Sequence, residues 1–336
     1  MKAVVQSRYG PPGEVLQVRE IEKPTIREDE VLVRVRAASV HADVWHVVTG
    51  QPYVLRIMGA GIFSPGRRVP GTDLAGTVEA VGVKVSRVKP GDAVFGESQR
   101  GMQWKNGGTF AEYAAAPESA LALKPAGVTF EQAAAAATAG YVALTNLRGK
   151  AAVRAGQDVL INGAAGGVGA IAVQFASAQG AKVTGVDRTE KLELMRALGA
   201  DRVIDHTKED FTAGDERYDL IFDVASTLSL SRCKRVLRPE GVYVFIGHDH
   251  YGRAGRRVLG SIPRAFGLMF RAPFDRHIAM AIATPKKQEV MAELAELLAT
   301  GKLRPVVART FPLESVGEAI RDLQEGRVPG RIILTP

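Results

Sequence analysis

Cysteine is almost absent from this chain of 336 residues, which contains only Cys233. A single cysteine cannot form an internal disulfide, and it excludes a zinc site built on several thiolates. Aromatic residues make up only 6% of the chain, and no hydrophobic run is long enough to cross a bilayer. The opening stretch MKAVVQSRYG lacks the apolar core and the cleavage site of a signal peptide. These absences predict a cytoplasmic protein.

The length and charge of the chain narrow its class further. A chain of 336 residues is too long for one ordinary core, which predicts two domains. The net charge is +8 and the pI is about 9.6, but the basic residues are spread along the chain and no nucleic-acid motif is present. We therefore expect no nucleic-acid partner, and we assign the positive charge to a solvated surface and one phosphate-bearing ligand.

The two halves of the chain differ in their hydrophobic pattern. Up to about residue 120, valine-rich segments alternate apolar with polar residues between Gly-Pro and Pro-Gly turns, which predicts an all-β unit. Within it, residues 50–71 are poorly patterned and are typical of a loop over a site. From residue 129 an alanine-rich helix is followed by buried strands that alternate with helices. This pattern predicts a doubly wound parallel sheet, so the fold class is α/β.

The segment VLINGAAGGVGAIAVQFA, residues 159–176, places four glycines between a strand and a helix. That context is the one required of a dinucleotide-binding turn. Glycine lets the backbone approach a pyrophosphate closely, and the start of the helix supplies free N–H groups. The cofactor-binding candidates of this turn are Ala164, Ala165, Gly166, Gly167, Val168 and Gly169.

The choice between NADH and NADPH depends on the residues after the next strand. That strand ends at Asp187, where a carboxylate is expected to bind the ribose diol of NAD and to repel the extra phosphate of NADP. However, Arg188, Lys191 and His206 lie near it in the predicted fold, and a cationic pocket would accept that phosphate. Alternatively, Asp187 caps the helix that starts near Thr189. These residues leave both cofactors open.

Seven segments, taken in order, resemble the medium-chain dehydrogenase/reductase superfamily, and most of all its zinc-free quinone oxidoreductase branch, which includes zeta-crystallin-like members. They are AASVHADVW, VPGTDLAGTVEAVG, KPGDAVFG, GGTFAEY, INGAAGGVG, LGADRVIDHTKEDF and GKLRP, and the resemblance covers nearly the whole chain. It implies a GroES-like β-rich catalytic domain, residues 1–125 completed by 284–336, and a Rossmann domain, residues 126–283. It also implies hydride transfer from a nicotinamide in the cleft between the domains, favours NADPH, and implies a homodimer.

Three residues complete the set of cofactor-binding candidates: Thr138, Gly247 and Arg331. Gly247 ends a predicted Rossmann strand, where ligands gather. Thr138 and Asn162 are candidates to face the nicotinamide ribose, although both side chains also have the alternative of being satisfied within the fold.

The resemblance also implies that this chain lacks the zinc ligands of the superfamily's zinc members. Zinc members of the superfamily have a Cys, a His-Glu pair and a second Cys at positions where this chain has His41, Thr72-Asp73 and Thr138. A catalytic zinc needs about three protein ligands, and only His41 and Asp73 qualify. We therefore expect no zinc. Without a Lewis acid a simple alcohol is hard to oxidise, whereas a quinone or an α,β-unsaturated carbonyl accepts a hydride unaided.

The oxygen of such an acceptor needs a hydrogen-bond donor and a proton. The catalytic candidates are His41 and Tyr53, with Asp43 orienting a histidine, and Tyr53 best matches a substrate-pocket residue of the family. The alternative is that the cofactor acts alone and these side chains pack the loop. Two other functions stay open: an alcohol or aldehyde dehydrogenase, and a nicotinamide-nucleotide-binding protein, possibly RNA-binding, with little catalysis.

Residues 251–277 alternate arginines with large apolar residues. Glycines and prolines interrupt any long helix there, so we predict a lid or a dimer-interface segment, and contact with a membrane surface is the less favoured alternative. His248 and His250 supply two metal ligands without a third, which indicates loop histidines and no metal site.

Overall fold

The computed structural model describes residues 1–99, 105–247, 257–279, 286–326 and 328–336. The strands are β1 (Lys2–Gln6), β2 (Leu16–Glu20), β3 (Glu30–Val40), β4 (Asp73–Val81), β5 (Ala93–Glu97), β6 (Tyr113–Pro117), β7 (Leu121–Leu123), β8 (Asp158–Asn162), β9 (Lys182–Asp187), β10 (Arg202–Asp205), β11 (Tyr218–Asp223), β12 (Leu237–Phe245), β13 (Ile278–Ala279), β14 (Val307–Pro312) and β15 (Arg331–Thr335). The helices are α1 (Pro12–Val15), α2 (Ala42–Thr49), α3 (Phe130–Asn146), α4 (Gly167–Ala178), α5 (Leu192–Ala197), α6 (Leu230–Arg235), α7 (Ile262–Arg271), α8 (Lys287–Ala299) and α9 (Val316–Glu325).

Two ends of the chain build one sheet. The order of this seven-stranded sheet is β14-β15-β3-β4-β5-β7, with β6 also paired to β3. Its strands run antiparallel except for the parallel pair of β14 and β15. The last strand enters through pairs such as Ile333 with Ser39. This β-rich unit, preceded by the β1–β2 hairpin, is the GroES-like part of the fold.

The second sheet is parallel throughout and has the order β10-β9-β8-β11-β12-β13. Strand β8 pairs with β9 on one side and with β11 on the other, so the strand order reverses at β8. In open α/β sheets a ligand binds at the carboxyl ends of the strands where the order reverses. The predicted α/β class with a doubly wound parallel sheet is confirmed.

Helix α3 lies between the two sheets because its side chains are small. Its start is fixed by a capping box, in which Gln132 N donates to Thr129 Oγ1 and Thr129 N donates to the Gln132 side chain. A run of buried alanines lets both sheets approach the helix, and one continuous core joins Ala75 of β4 to Val159 of β8. The two units therefore form a single packed body around α3.

One of the two predicted domain limits lies among the described residues, and the other lies outside them. The limit between residues 125 and 126 lies in the turn before α3. The limit between residues 283 and 284 lies outside the described residues, so both limits stay predictions. No helix in the described part of the chain is long and apolar enough to cross a membrane.

Helix α7 was not predicted from the sequence. Pro263 stands in its first turn, where a missing N–H costs nothing, and Gly267 is tolerated inside it. Residues 50–71 are mostly irregular, as predicted, apart from one π turn at Arg56–Ala60.

Candidate active site

The glycine turn after β8 has a backbone that a ligand can approach closely. Gly163 has φ +83°, and its N–H donates to Val186 O at 2.9 Å. A Cβ on Gly169 would lie 2.0 Å from Gly163 O, so no side chain fits there. Helix α4 begins after Gly166 without a side-chain cap, which leaves its first N–H groups to an external acceptor. An anionic group such as a pyrophosphate fits this helix start.

Arg331 lies across the same turn although it comes from the last strand. Gly330 N donates to Ala165 O at 2.7 Å, and Gly330 forms a parallel bridge with Gly166. A Cβ on Gly167 would lie 2.2 Å from Arg331 Nε, so the guanidinium covers Gly167. The structure therefore brings Arg331 and the glycine turn together, with a cation at the start of α4.

Asp187 is buried and points back at the glycine turn. Its Oδ2 accepts from Ala165 N at 3.1 Å, and its Oδ1 accepts from Arg188 N at 2.9 Å. The buried Lys191 ammonium lies 3.4 Å from Oδ1. The capping alternative for Asp187 is wrong, because the turn at Thr189–Lys191 and the helix after it have no side-chain cap.

The other two cationic candidates lie at the same edge of the parallel sheet. The exposed His206 donates its backbone N–H to Asp187 O at 3.1 Å, and Arg188 is half-buried. Arg188, Lys191 and His206 thus surround the end of β9. At this edge the Lys191 ammonium offsets the charge of Asp187, and Arg188 is a second cation.

The residues at the superfamily's zinc-ligand positions meet in one place, which we call the His41 cluster: His41, Thr72, Asp73 and Thr138. His41 Nε2 lies 2.7 Å from Thr72 Oγ1 and 3.8 Å from Asp73 Oδ1. The hydroxyls of Thr138 and Thr72 both donate to Asp73 Oδ1, the latter at 3.5 Å. All four side chains are buried. Thr138, a cofactor candidate, thus has its hydroxyl bonded within the fold.

Burial sets the charge state of this cluster. It lowers the pKa of His41 to about 4, with Arg331 lowering it further and Asp43, whose Oδ2 is 3.6 Å from His41 Nδ1, partly opposing. The imidazole is therefore neutral near pH 7. Burial also raises the pKa of Asp73, which Arg331 and the Thr138 hydrogen bond oppose. By distance and angle, the second oxygen of Asp73 has no hydrogen-bond partner among the described residues, although the Ser39 hydroxyl is close enough to lower the pKa of Asp73.

The cluster does not fit a catalytic zinc ion. His41 and Asp73 are its two groups of the right chemistry, and both threonine hydroxyls are already bonded within it. Across the ranges that the structure describes, no three His, Cys, Asp or Glu side chains are grouped to hold a metal. A zinc needs about three such ligands.

Tyr53 lies at the other end of α2 from His41. His41 directly precedes this helix of eight residues, which is about 12 Å long, and Tyr53 comes four residues after its end. The Tyr53 side chain is 42% exposed, its ring lies 4.7 Å from the Arg56 guanidinium, and its backbone N–H donates to Arg257 O at 2.7 Å. The structure therefore gives the two proposed donors separate positions.

Sequence reasoning missed a buried ion pair beside the cluster. Lys287 Nζ, at the start of α8, lies 2.6 Å from Glu97 Oε2, at the end of β5. Glu97 is fully buried and its charge acts on the pKa of His41. The sole signal in the sequence was an acidic residue closing an apolar strand.

A second buried network surrounds Asp223 at the end of β11. Asp223 Oδ1 accepts from Asn162 Nδ2 and Ser226 N, both at 2.8 Å, and Oδ2 accepts from Tyr243 OH at 2.6 Å. Asn162 is thus satisfied within the fold, which is one of the two alternatives stated for it. Arg264 Nη2 lies 3.8 Å from Asp223 Oδ2.

Burial raises the pKa of the Cys233 thiol to about 12, so the thiol is protonated near pH 7. Gly247 follows β12 with φ +88°. His248 and His250 lie outside the described residues.

Two family models match the chain. Residues 27–126 match the alcohol dehydrogenase GroES-like domain, and residues 198–334 match a model described as zinc-binding dehydrogenase. The chain is 32% identical over 343 residues to the chloroplastic NADPH-dependent alkenal/one oxidoreductase of Arabidopsis thaliana, covering 100% of this chain and 80% of the relative.

Two solved structures share the whole fold. The quinone oxidoreductase of Coxiella burnetii has a TM-score of 0.83 at 27% identity, over 100% of this chain and 99% of that one. The Escherichia coli quinone oxidoreductase complexed with NADPH has a TM-score of 0.79 at 25% identity, over 100% of both chains. With the motifs and the geometry above, these matches show that the chain belongs to the medium-chain dehydrogenase/reductase superfamily, in its quinone oxidoreductase branch.

Proposed function

We propose that this protein is a zinc-independent, NADPH-dependent oxidoreductase that transfers a hydride to a quinone or an α,β-unsaturated carbonyl. The observation that carries the proposal is the His41 cluster, which occupies the zinc-ligand positions with a donor set unsuited to zinc. A relative is named for NADPH-dependent reduction of alkenals and alkenones, and two neighbours are named quinone oxidoreductases. An acceptor that takes a hydride without a Lewis acid suits such a site.

Two groups of residues support NADPH as the cofactor. The N–H groups that open α4, together with Arg331, suit the pyrophosphate. Lys191 offsets the charge of Asp187, and Arg188 and His206 lie at the same edge, which suits the extra phosphate. When bound, NADPH supplies the hydride. NADH is the alternative cofactor, because Asp187 also suits a ribose diol.

The chain's own residues have distinct tasks in this proposal. Tyr53 is the hydrogen-bond donor for the acceptor oxygen, since its hydroxyl is bonded to no described residue. The neutral His41 lies between the partly exposed Asp43 and Thr72, and so forms a path for a proton into the buried cluster. Asp73 is a positioning residue that orients the hydroxyls of Thr72 and Thr138.

The test is the initial rate of NADPH oxidation with an ortho-quinone, with an enone, and with a chelator present. We expect turnover that the chelator leaves unchanged, and Tyr53→Phe should lower it by about tenfold to hundredfold. Tyr113→Phe is the matched control, because that ring packs under Lys23 on another face. Loss of turnover on chelation would contradict the zinc-independent mechanism.

The two alternative functions give different results in the same assay. An alcohol or aldehyde dehydrogenase would oxidise an alcohol faster than it reduces an enone. A nucleotide-binding protein would bind NADPH tightly and turn over neither acceptor. The homodimer and the cytoplasmic location stay predictions, which light scattering and cell fractionation test.

A further inference from the structure

Asp73 has a second carboxyl group directly beside it. Strands β4 and β5 are antiparallel, and their register places Asp73 opposite Glu97 at the end of the ladder. Directly opposite residues point to the same face of a sheet, with their Cβ atoms about 5 Å apart. Both side chains are fully buried. Two carboxylates so close together and away from water are costly to ionise at once, so one proton is expected to stay on the pair.

A lysine ammonium decides which member of the pair keeps the proton. Lys287 Nζ lies 2.6 Å from Glu97 Oε2 and also donates to Gln99 O at 3.3 Å. Among the residues that the structure describes, no Lys or Arg nitrogen lies within ion-pair distance of an Asp73 oxygen. A neighbouring cation favours the ionised form of a carboxyl group. Glu97 therefore carries the negative charge, and Asp73 is left with the proton.

The hydrogen bonds around Asp73 leave a position for that proton. Its Oδ1 accepts from the hydroxyls of Thr138 and Thr72. Its Oδ2 and the Ser39 Oγ are both buried without a partner by distance and angle, although the Ser39 hydroxyl is close enough to act on Asp73. A proton on Oδ2 that is donated to Ser39 Oγ satisfies both of these buried atoms at once.

The other charged and titratable groups near Asp73 do not remove its proton. His41, whose Nε2 lies 3.8 Å from Asp73 Oδ1, is neutral near pH 7. Asp43 lies on the far side of the imidazole, 3.6 Å from Nδ1, and is partly exposed. Arg331 on β15 favours an ionised Asp73, but burial outweighs it, so the pKa of Asp73 is raised.

We propose that Glu97 and Lys287 are positioning residues that keep the proton of the buried carboxyl pair on Asp73, ready for the reduction of the acceptor. Hydride addition to an acceptor carbon places negative charge on the acceptor oxygen, which takes up one proton. After a half-turn of the Asp73 carboxyl group, that proton passes through the Thr72 hydroxyl and the His41 imidazole, which are 2.7 Å apart. Water then returns a proton to Asp73. The use of the proton rests on the proposed function, whereas its position does not.

The test is infrared spectroscopy of the full chain over a range of pH, because the C=O band of a protonated carboxyl group is separate from that of a carboxylate. We expect such a band in the wild type at pH 7 and its loss in Asp73→Asn. Glu97→Gln should lower the pH midpoint of the band by about one to two pH units, since Asp73 loses a like charge and Lys287 loses its partner. Glu289→Gln, which removes an exposed acid from the same helix, should leave the midpoint unchanged.

A second variant keeps the test valid if Glu97→Gln does not fold. Glu97→Gln with Lys287→Met removes both charges, and it should lower the midpoint by a smaller amount because Glu97 is the nearer group. An unfolding midpoint like that of the wild type shows that a variant is folded. The proposal is overturned if the wild type has no protonated-carboxyl band at pH 7, or if Asp73→Asn leaves the band in place.

The pH dependence of kcat with an enone tests whether the proton is used. The alkaline limb of kcat should move to lower pH in Glu97→Gln by the same amount as the infrared midpoint. An alkaline limb that stays in place while the infrared midpoint moves would overturn the role of the pair in reduction. Absence of turnover with every acceptor would reject the proposed function alone, because the infrared result does not depend on turnover.

Discussion

Two fully buried carboxylates, one in each sheet, have opposite surroundings. Asp223 in the parallel sheet accepts hydrogen bonds on both oxygens, from Asn162, Ser226 N and Tyr243. Asp73 in the β-rich sheet has donors on one oxygen, and by distance and angle its other oxygen has no hydrogen-bond partner among the described residues. Buried polar atoms are nearly always satisfied where their role is to hold a fold.

The difference indicates what each carboxylate is for. Asp223 binds together β8, β11, β12 and, through Arg264, helix α7, so its role is structural. Asp73 keeps an unused acceptor and a raised pKa beside His41 and Arg331, at a cost to stability. In the function that we propose, this unfavourable buried group belongs to the active site.

The largest expected effect comes from removing the satisfied carboxylate. Asp223→Ala should lower the free energy of unfolding by about 3–5 kcal/mol, because Arg264 and Tyr243 lose their buried partner. Denaturant unfolding measures this. The matched control is Glu240→Ala, which removes an exposed ion pair with Arg276 and should cost at most about 1 kcal/mol. Equal losses in the two variants would show that Asp223 is not a structural centre.

The second effect is the dependence of the free energy of unfolding on acid pH, which comes from His41 beside Asp73. His41 has a folded-state pKa of about 4 against 6.5 when unfolded, so the unfolded state binds a proton that the folded state refuses. Stability should therefore fall as the pH drops from about 6.5 to about 4, by roughly 3 kcal/mol in total. His41→Asn should lack this loss while retaining a partner for Thr72. Parallel unfolding curves for the two proteins across this pH window would refute the buried neutral imidazole.

The smallest effect extends the comparison to a third buried carboxylate, Asp187. Its oxygens accept from two backbone N–H groups, and the Lys191 ammonium lies beside it. Lys191→Ala should raise the KM for NADPH about tenfold and leave that for NADH nearly unchanged, because the cation offsetting Asp187 is lost. Steady-state kinetics with both cofactors measure it. Lys182→Ala, an exposed lysine at the start of the same strand, is the control. A rise of equal size for both cofactors would mean that Lys191 only supports the fold.

Most of the framework was accessible from the sequence because it depends on local pattern. The strands around Asp187 and Asp205 and the turn at Gly163–Gly169 follow from apolar runs and glycine spacing. The motifs also placed His41, Thr72-Asp73 and Thr138 at equivalent positions, and the structure brings them together.

What the sequence could not give are contacts between distant segments. The bond of Asp187 to Ala165 N and the position of Arg331 over Gly167 depend on how strands stack. The separation of His41 from Tyr53 depends on a short helix whose ends no pattern marks.

The most direct measurement is the turnover number and the unfolding free energy of Asp73→Asn, side by side with wild type. Asparagine still accepts from Thr138, and a neutral amide is cheaper to bury than a carboxylate. We predict a fall in kcat of about a hundredfold with quinone or enone, and a change in unfolding free energy below about 1 kcal/mol. An unchanged kcat with a large loss of stability would contradict the functional role of Asp73 and make it a structural residue like Asp223.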